Sequence, residues 1–191
     1  MTWRDELLDQ LAAAVPCGYL RQGPPATEPT CMAAIALSLS GRTEPSSQAL
    51  QWLASIQNDD GSLGPASGLA APGWPTALAV LASAYAGGGG SHDVLGLGGD
   101  LDPSSDDRTK AEQPFSVGRA VEWLLAAKGT TIKRSPEMAH NSMLVGWPWV
   151  PGTHSWVEPT ALAVLALKAI GEVNHPRTRE GVRVLHDRLL P

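Results

Sequence analysis

The chain has 191 residues, 43% of them hydrophobic, which is enough for a single domain with a sizeable core. Its 14 basic and 19 acidic residues give a formal charge of -5, and no run of Lys or Arg could follow a phosphate backbone, so we expect no nucleic-acid partner. No apolar run is long enough to span a membrane, and the charged first segment MTWRDELLDQL lacks the apolar stretch of a secretory signal. We therefore expect a cytoplasmic protein without a transmembrane segment.

The apolar periodicity predicts seven helices, in residues 3–15, 28–41, 46–57, 74–87, 116–128, 158–171 and 177–190. The first, third, fifth and seventh carry one apolar stripe opposite a polar face, which is typical of a helix at the surface of a domain. The second, fourth and sixth are apolar nearly all round, which predicts buried helices. We call these two classes outer and inner helices, and we expect an all-α fold in which they alternate.

The three inner helices are copies of one sequence pattern. The segments EPTCMAAIALSLSG, WPTALAVLASAYAG and EPTALAVLALKAIG align without a gap from Glu28, Trp74 and Glu158. Each copy has a proline in its first turn, where the missing N–H needs no partner, and each ends in a glycine suited to the left-handed position after a helix. The pattern therefore predicts about three and a half αα-hairpin repeats.

Two insertions lengthen the later repeats. Residues 87–113 are rich in Gly, Asp and Ser, and this composition predicts a mobile surface loop. Residues 129–157 form a Trp-rich loop, in which the stretch GWPWVPGTHSW places three tryptophans directly before the third inner helix. We expect residues 1–191 to form one domain that carries both insertions.

One outer helix and the turn after it carry a family motif. The stretch ALQWLASIQNDDGSLG resembles the repeat of the squalene and terpene cyclases and of protein prenyltransferase β subunits. Trp52, Gln57, Asp60 and Gly61 match that repeat, while Leu63 replaces its final aromatic residue. The stretch GWPWVPGTHSWVEPTALAVLALKAIG also resembles bacterial proteins described as prenyltransferase or squalene-oxidase-repeat proteins.

The resemblance implies an α/α toroid, in which about six hairpins close a ring with the inner helices around a central cavity. This chain would form a partial toroid of about seven helices. The implied function is that of a terpene cyclase or prenyltransferase, a lyase, isomerase or transferase that binds or transforms a hydrophobic, isoprenoid-like ligand. The alternative is a non-catalytic repeat scaffold, completed by self-association, by a partner protein or by a missing C-terminal arc.

The acid motif of the cyclases is not found in the sequence. Those enzymes protonate an alkene or epoxide with an Asp-rich DxDD motif, because the acid must be a carboxyl group in a special environment. The acidic pairs present are Asp59 with Asp60 and Asp106 with Asp107. The first pair lies in an Asn-Asp-Asp-Gly turn and the second in the Gly-rich insertion, so we interpret them as turn and solvating residues. Whether the chain is an enzyme stays open.

The zinc site of the prenyltransferases is not predicted either. That site joins Asp, Cys and His side chains from inner-helix ends. Cys31 lies one turn into the first inner helix and His154 just before the third, but Pro29 stands where the Asp of an Asp-x-Cys pair would be. We interpret Cys31 as a small buried hydrophobic residue, and we predict no metal and no cofactor.

Three residues near the inner-helix starts are candidate catalytic groups: Glu28, His154 and Glu158. Glu28 and Glu158 occupy equivalent positions just before the proline. One interpretation is structural, because a carboxylate near a helix N-terminus meets free N–H groups and gains ~0.5–2 kcal/mol. The other is catalytic, with His154 or a glutamate as the proton carrier at the mouth of the toroid that the resemblance implies.

Four tryptophans are candidate ligand contacts at the same mouth: Trp74, Trp147, Trp149 and Trp156. Prolines alternate with the last three, so their backbone is extended. These rings form either a plug over the inner-helix ends, each burying on the order of 200 Å², or a π-rich wall for an apolar or cationic ligand. We favour the plug.

Overall fold

The computed structural model describes residues 2–87 and 115–189, which form seven α-helices and one short 3-10 helix without a β-strand. The helices are α1 (Trp3–Ala13), α2 (Thr27–Leu39), α3 (Thr43–Ser55), α4 (Thr76–Gly87), α5 (Val117–Ala126), α6 (Val157–Ala169), the 3-10 helix Glu172–Asn174 and α7 (Pro176–Asp187). The all-α class is confirmed, and no predicted helix end is wrong by more than three residues. Of the predicted insertion 87–113, Gly87 ends α4 and residues 88–113 lie outside the described residues.

The inner helices pack side by side in chain order: α4 contacts α2 on one side and α6 on the other. Each outer helix contacts a member of this row. Helix α3 packs against α2 and α4, α5 against α4, and α7 against α6, while α1 lies against α2 and α3. The starts of α4 and α6 therefore lie near each other, although 80 residues of sequence separate them.

Small side chains fill the contacts between the inner helices. Ala79, Val80 and Ala82 of α4 and Ala163 and Ala166 of α6 are buried. Because alanine is short, helices that meet at alanines can approach to the lower end of the usual interaxial range. Each of α3, α5 and α7 adds a large aliphatic side chain that is fully buried: Leu53, Leu124 and Val184. Each of these three contributes roughly 1.5–3 kcal/mol.

Proline and glycine mark the ends of the inner helices as the repeat predicts. Pro29 and Pro159 lie in the first turn of α2 and α6, and Pro75 directly precedes α4. Gly41 and Gly171 follow α2 and α6 with φ of +71° and +87°. This left-handed conformation is unfavourable for a residue with a Cβ atom, so glycine closes both helices at little steric cost.

Three threonines at equivalent positions of the inner helices anchor the preceding loops: Thr30, Thr76 and Thr160. All three are fully buried. Each hydroxyl accepts a hydrogen bond from the backbone N–H of the residue thirteen positions earlier, at 3.0, 2.9 and 3.0 Å: Cys17, Leu63 and Trp147 respectively. The same hydroxyls donate to loop carbonyls. The repeating unit is therefore an inner helix plus the segment before it, and the anchored residue lies thirteen positions before the threonine in all three copies.

Different side chains connect successive outer helices. After α3, the Gln57 amide donates to the carbonyl of Ser116 at 3.0 Å and accepts from its N–H at 2.9 Å, which joins the end of α3 to the start of α5. Lys128 stands at the equivalent position after α5 and cannot accept a hydrogen bond. The connection to α7 instead comes from Arg177, which donates to the carbonyl of Ala127 at 2.8 Å.

Candidate functional site

A pocket of about 280 Å³ lies between the starts of α4 and α6 and the end of α5. Its lining is mostly apolar, and four tryptophan side chains form much of it: Trp74, Trp123, Trp147 and Trp149. Three of these are ligand contacts predicted from the sequence. The pocket lies at the N-terminal ends of two neighbouring inner helices, where the family resemblance implies the mouth of a toroid.

Trp147 is the deepest of the four rings, with 3% of its surface exposed. The Thr160 hydroxyl holds its backbone N–H, and its indole Nε1 donates to the carbonyl of Leu124 at 2.8 Å. This bond satisfies the only polar atom of the side chain. Trp147 therefore has the burial and the fixed orientation that a plug requires, and it also forms the floor of the pocket.

Arg177 stacks on Trp147 and ties the Trp-rich loop to the outer helices. The guanidinium carbon lies 4.2 Å from the centroid of the Trp147 ring, within the range of a cation–π contact. The same group donates to the carbonyl of Val145 at 3.0 Å and forms an ion pair with Glu180 at 2.8 Å. Because Arg177 is itself buried, these contacts hold Trp147 in one position.

Trp149 and Trp74 meet across the pocket in an edge-to-face contact. Their ring centroids are 4.8 Å apart and their planes make an angle of 82°. Trp149 comes from the loop before α6, whereas Trp74 stands before Pro75 at the start of α4. The pair therefore joins two successive inner helices, and both rings remain only half-buried.

Trp123 lines the pocket but is not among the candidate ligand contacts predicted from the sequence. It lies near the end of α5, and its ring packs so closely on Gly73 that a Cβ atom there would lie 2.5 Å from it. The spacing shows Trp123 as the counterpart of Trp52 in the repeat. That signal places it on an outer helix, but it gives no indication that the end of α5 meets the start of α4.

Trp156, His154 and Glu158 lie outside the pocket lining. The rings of His154 and Trp156 stack with centroids 4.8 Å apart, and Trp156 is 46% exposed. Glu158 is exposed in the first turn of α6. The structure thus places all three side chains at the surface near the start of α6. The backbone N–H of Trp156 donates to the carbonyl of Trp147 at 3.0 Å, but the Trp156 ring does not line the cavity.

Glu28 lies at the start of α2, outside the pocket lining, and is engaged with Tyr19. The Tyr19 hydroxyl donates to the Glu28 carboxylate at 2.5 Å. Loss of hydration and the hydrogen bond to Glu28 raise the pKa of Tyr19 to about 12, so the phenol stays a neutral donor near pH 7. Because Glu28 also lies in the first turn of α2, the observed contacts fit the structural interpretation.

The two cysteines are buried in the core, and the acidic turn is closed by hydrogen bonds. Cys31 is fully buried, and burial raises the pKa of its thiol, as it does for Cys17. Asp60 accepts from the backbone N–H and the hydroxyl of Ser62, which closes the predicted turn. Within residues 2–87 and 115–189, no group of three or more His, Cys, Asp and Glu side chains could hold a metal ion.

The chemistry of the pocket follows from its lining. Lys128, two residues after the end of α5, is the charged residue among the side chains that border the pocket, and no carboxyl or imidazole group of the described residues borders it. Aromatic faces and aliphatic groups favour an apolar ligand, and the exposed ammonium offers a donor to a polar or anionic group at the rim.

No family model, no curated protein and no solved structure matches this chain. The described residues define an all-α protein of repeated loop-and-helix units with a tryptophan-lined pocket. In that part of the chain, no helix has the length and apolar character needed to cross a membrane.

Proposed function

We propose that this protein is a terpene cyclase- or prenyltransferase-like α/α repeat domain that binds a small hydrophobic, isoprenoid-like ligand in the tryptophan-lined pocket. The observation that carries the proposal is the convergence of Trp74, Trp123, Trp147 and Trp149 on one apolar cavity. These rings come from an outer helix and from the loops before two inner helices. Trp74, Trp123 and the pair Trp147 and Trp149 lie in three separate segments of the sequence, and the fold brings them together.

The size of the cavity limits the ligand. A dry apolar cavity of about 150 Å³ holds one benzene ring, and this pocket measures about 280 Å³. It therefore has space for roughly two such units, which corresponds to about ten carbons of a branched chain. A ligand as long as squalene would have to extend beyond the pocket into solvent.

Binding is better supported than catalysis. Protonation of an alkene needs a positioned acid within reach of the bound carbon atoms. Glu28, His154 and Glu158 remain the candidate proton carriers, but none of them borders the cavity. The geometry supports a ligand-binding domain, with Lys128 placed to contact a hydroxyl or an acidic head group at the rim.

Isothermal titration calorimetry with geraniol, a ten-carbon isoprenoid alcohol, tests the proposal. We expect binding by the intact chain and an affinity loss of about tenfold in Trp149→Ala, because the substitution removes a half-buried ring worth roughly 1.4 kcal/mol to the ligand. Trp156→Ala is the matched control, since Trp156 is an exposed ring of the same loop outside the lining.

Two results would count against this site. One is a failure of the intact chain to bind geraniol up to its solubility limit. The other is an equal loss of affinity in Trp149→Ala and Trp156→Ala. Thermal unfolding of both variants must show that they remain folded, since Trp149 also packs on Trp74.

A further inference from the structure

The junction between α2 and α4 shows how successive inner helices join. The loop before α4 reaches back to the start of α2, where Thr27 donates its N–H to the carbonyl of Pro65 at 2.8 Å and its hydroxyl to that of Gly64 at 2.5 Å. Near the other end of α2, the Ser38 hydroxyl donates to the carbonyl of Tyr85 in α4 at 2.7 Å. One flank of α2 thus faces α4 along its whole length.

The junction between α4 and α6 follows the same rule. The loop before α6 also reaches back, and its Trp149 packs on Trp74 at the start of α4. In the repeat alignment Trp149 is the equivalent of Pro65, and Tyr19 holds that position in the loop before α2. The loop before α4 therefore contacts the start of α2, and the loop before α6 contacts the start of α4.

No inner helix precedes α2 among the described residues. The loop before α2 and the flank of α2 opposite α4 are therefore not covered by an inner helix. Four apolar side chains there are exposed, and we call them the leading edge: Tyr19, Leu20, Met32 and Leu39. Met32 is 55% exposed, whereas its equivalent in α4, Leu78, is 4% exposed and its equivalent in α6, Leu162, is half-buried. The position is covered wherever a preceding inner helix is present.

The opposite flank is open on α6, which no inner helix follows among the described residues. Three exposed side chains mark it, and we call them the trailing edge: Val157, Leu165 and Lys168. Leu165 is 51% exposed, while its equivalents Ile35 and Leu81 are half-buried and pack against the core. Val157 is the equivalent of the buried Thr27. These positions face the next inner helix in α2 and α4.

We infer that the trailing edge of one copy of this chain docks on the leading edge of a second copy, head to tail, as a third junction of the kind seen between α2 and α4. The repeat indicates that the partner is a second copy of the chain. Each edge is the exposed counterpart of positions that another part of the same chain covers, so one chain carries both halves of the junction. Exposed apolar side chains grouped on one flank of a helix are typical of an interaction site.

The charge at the trailing edge suits this arrangement. Lys168 occupies the position of Ser38, whose hydroxyl donates to the carbonyl of Tyr85. The equivalent of Tyr85 on the leading edge is Leu39, the last residue of α2. In the docked pair the Lys168 ammonium therefore meets the last carbonyl groups of α2 in the second copy, where a cation is favourable.

The contact uses two different surfaces, so it is heterologous and repeats around a ring or along a chain of copies. The test measures molar mass by size-exclusion chromatography with light scattering. We expect the unmodified protein to elute at a multiple of its 20.0 kDa chain mass, and Met32→Glu and Leu165→Glu to elute singly at 20.0 kDa.

Mixing the two variants is the decisive step. Met32→Glu keeps an intact trailing edge and Leu165→Glu keeps an intact leading edge, so an equimolar mixture should form a 1:1 complex of twice the chain mass. Val182→Glu is the matched control, because Val182 is 48% exposed on α7 and belongs to neither edge. It should assemble like the unmodified protein, and circular dichroism should show all three variants folded.

The inference is overturned if the unmodified chain stays at 20.0 kDa at about 1 mM, where a complex with a millimolar dissociation constant is half formed. It is also overturned if either single variant assembles normally, or if the mixture stays monomeric while the unmodified protein assembles. The last result would mean an interface between like surfaces. None of these outcomes depends on a ligand in the tryptophan pocket.

Discussion

The loops before α4 and α6 have the same anchor and fill their junctions differently. Thr76 and Thr160 are equivalent buried residues, and each fixes the backbone of the residue thirteen positions earlier. Leu63 and Trp147 therefore enter the core at equivalent points, and both are buried. Up to this point the two copies have the same structure, in which a threonine hydroxyl of the inner helix fixes the position of the anchored loop residue.

The copies differ after the anchor. In the loop before α4, Gly64 follows the anchor, and its backbone carbonyl accepts a hydrogen bond from the Thr27 hydroxyl at the start of α2 at 2.5 Å. In the loop before α6, Pro148 and Trp149 follow the anchor, and the bulky ring spans to Trp74. Equivalent points of the repeat thus carry a backbone hydrogen bond in one copy and an aromatic contact beside a pocket in the next.

Removing the anchored ring should give the largest effect. We expect Trp147→Ala to lower the free energy of unfolding by about 3–5 kcal/mol, because it leaves a cavity, an unpaired Leu124 carbonyl and an Arg177 guanidinium without its ring. Leu63→Ala, at the equivalent point, should cost about 2–4 kcal/mol from its cavity alone. Urea-induced unfolding measures both. A loss below about 1 kcal/mol for Trp147→Ala would mean that the ring serves a ligand and is no plug.

Much of the fold was predictable because it depends on local patterns. Periodicity and the proline and glycine positions gave all seven helices, but the start of α3 was wrong: it begins at Thr43, whereas the prediction was residue 46. The serines at 46 and 47 look like a helix start, yet Pro45 is compatible with a first turn. The threonine anchors were missed, since a threonine inside an apolar helix gives no sign of its distant partner.

The site was predictable in part, for a related reason. Trp74, Trp147 and Trp149 sit beside the inner-helix starts in sequence, so the repeat alone places them near one another. His154 and Glu158 share that proximity, but both side chains are exposed and lie outside the pocket lining. Trp123 reaches the pocket only through packing of α5 on α4, and such a contact between distant segments leaves no mark in a single sequence.

A smaller effect tests whether the two anchors are equivalent. Thr76→Val and Thr160→Val keep the side-chain shape but leave the loop N–H groups of Leu63 and Trp147 unpaired inside the core. We expect each to cost about 1–3 kcal/mol, and the two losses to agree closely. Thr153→Val, at an exposed turn, should stay within about 0.5 kcal/mol of the unmodified protein. A negligible loss at either buried threonine would break the equivalence.

The smallest expected effect separates the pocket from the rest of the fold. Gly73 lines the pocket, and a Cβ atom there would lie 2.5 Å from the Trp123 ring, which must shift to admit it. We expect Gly73→Ala to cost about 1 kcal/mol and to weaken geraniol binding, because the displaced ring narrows the cavity. Gly118→Ala is the control: nothing lies within 4 Å of its Cβ position in α5, so alanine should be neutral or stabilise the helix by about 0.5–1 kcal/mol. Thermal unfolding and calorimetry on the two variants measure these effects. If Gly73→Ala lost stability while geraniol bound as tightly as before, the assignment of Trp123 to the ligand site would be wrong.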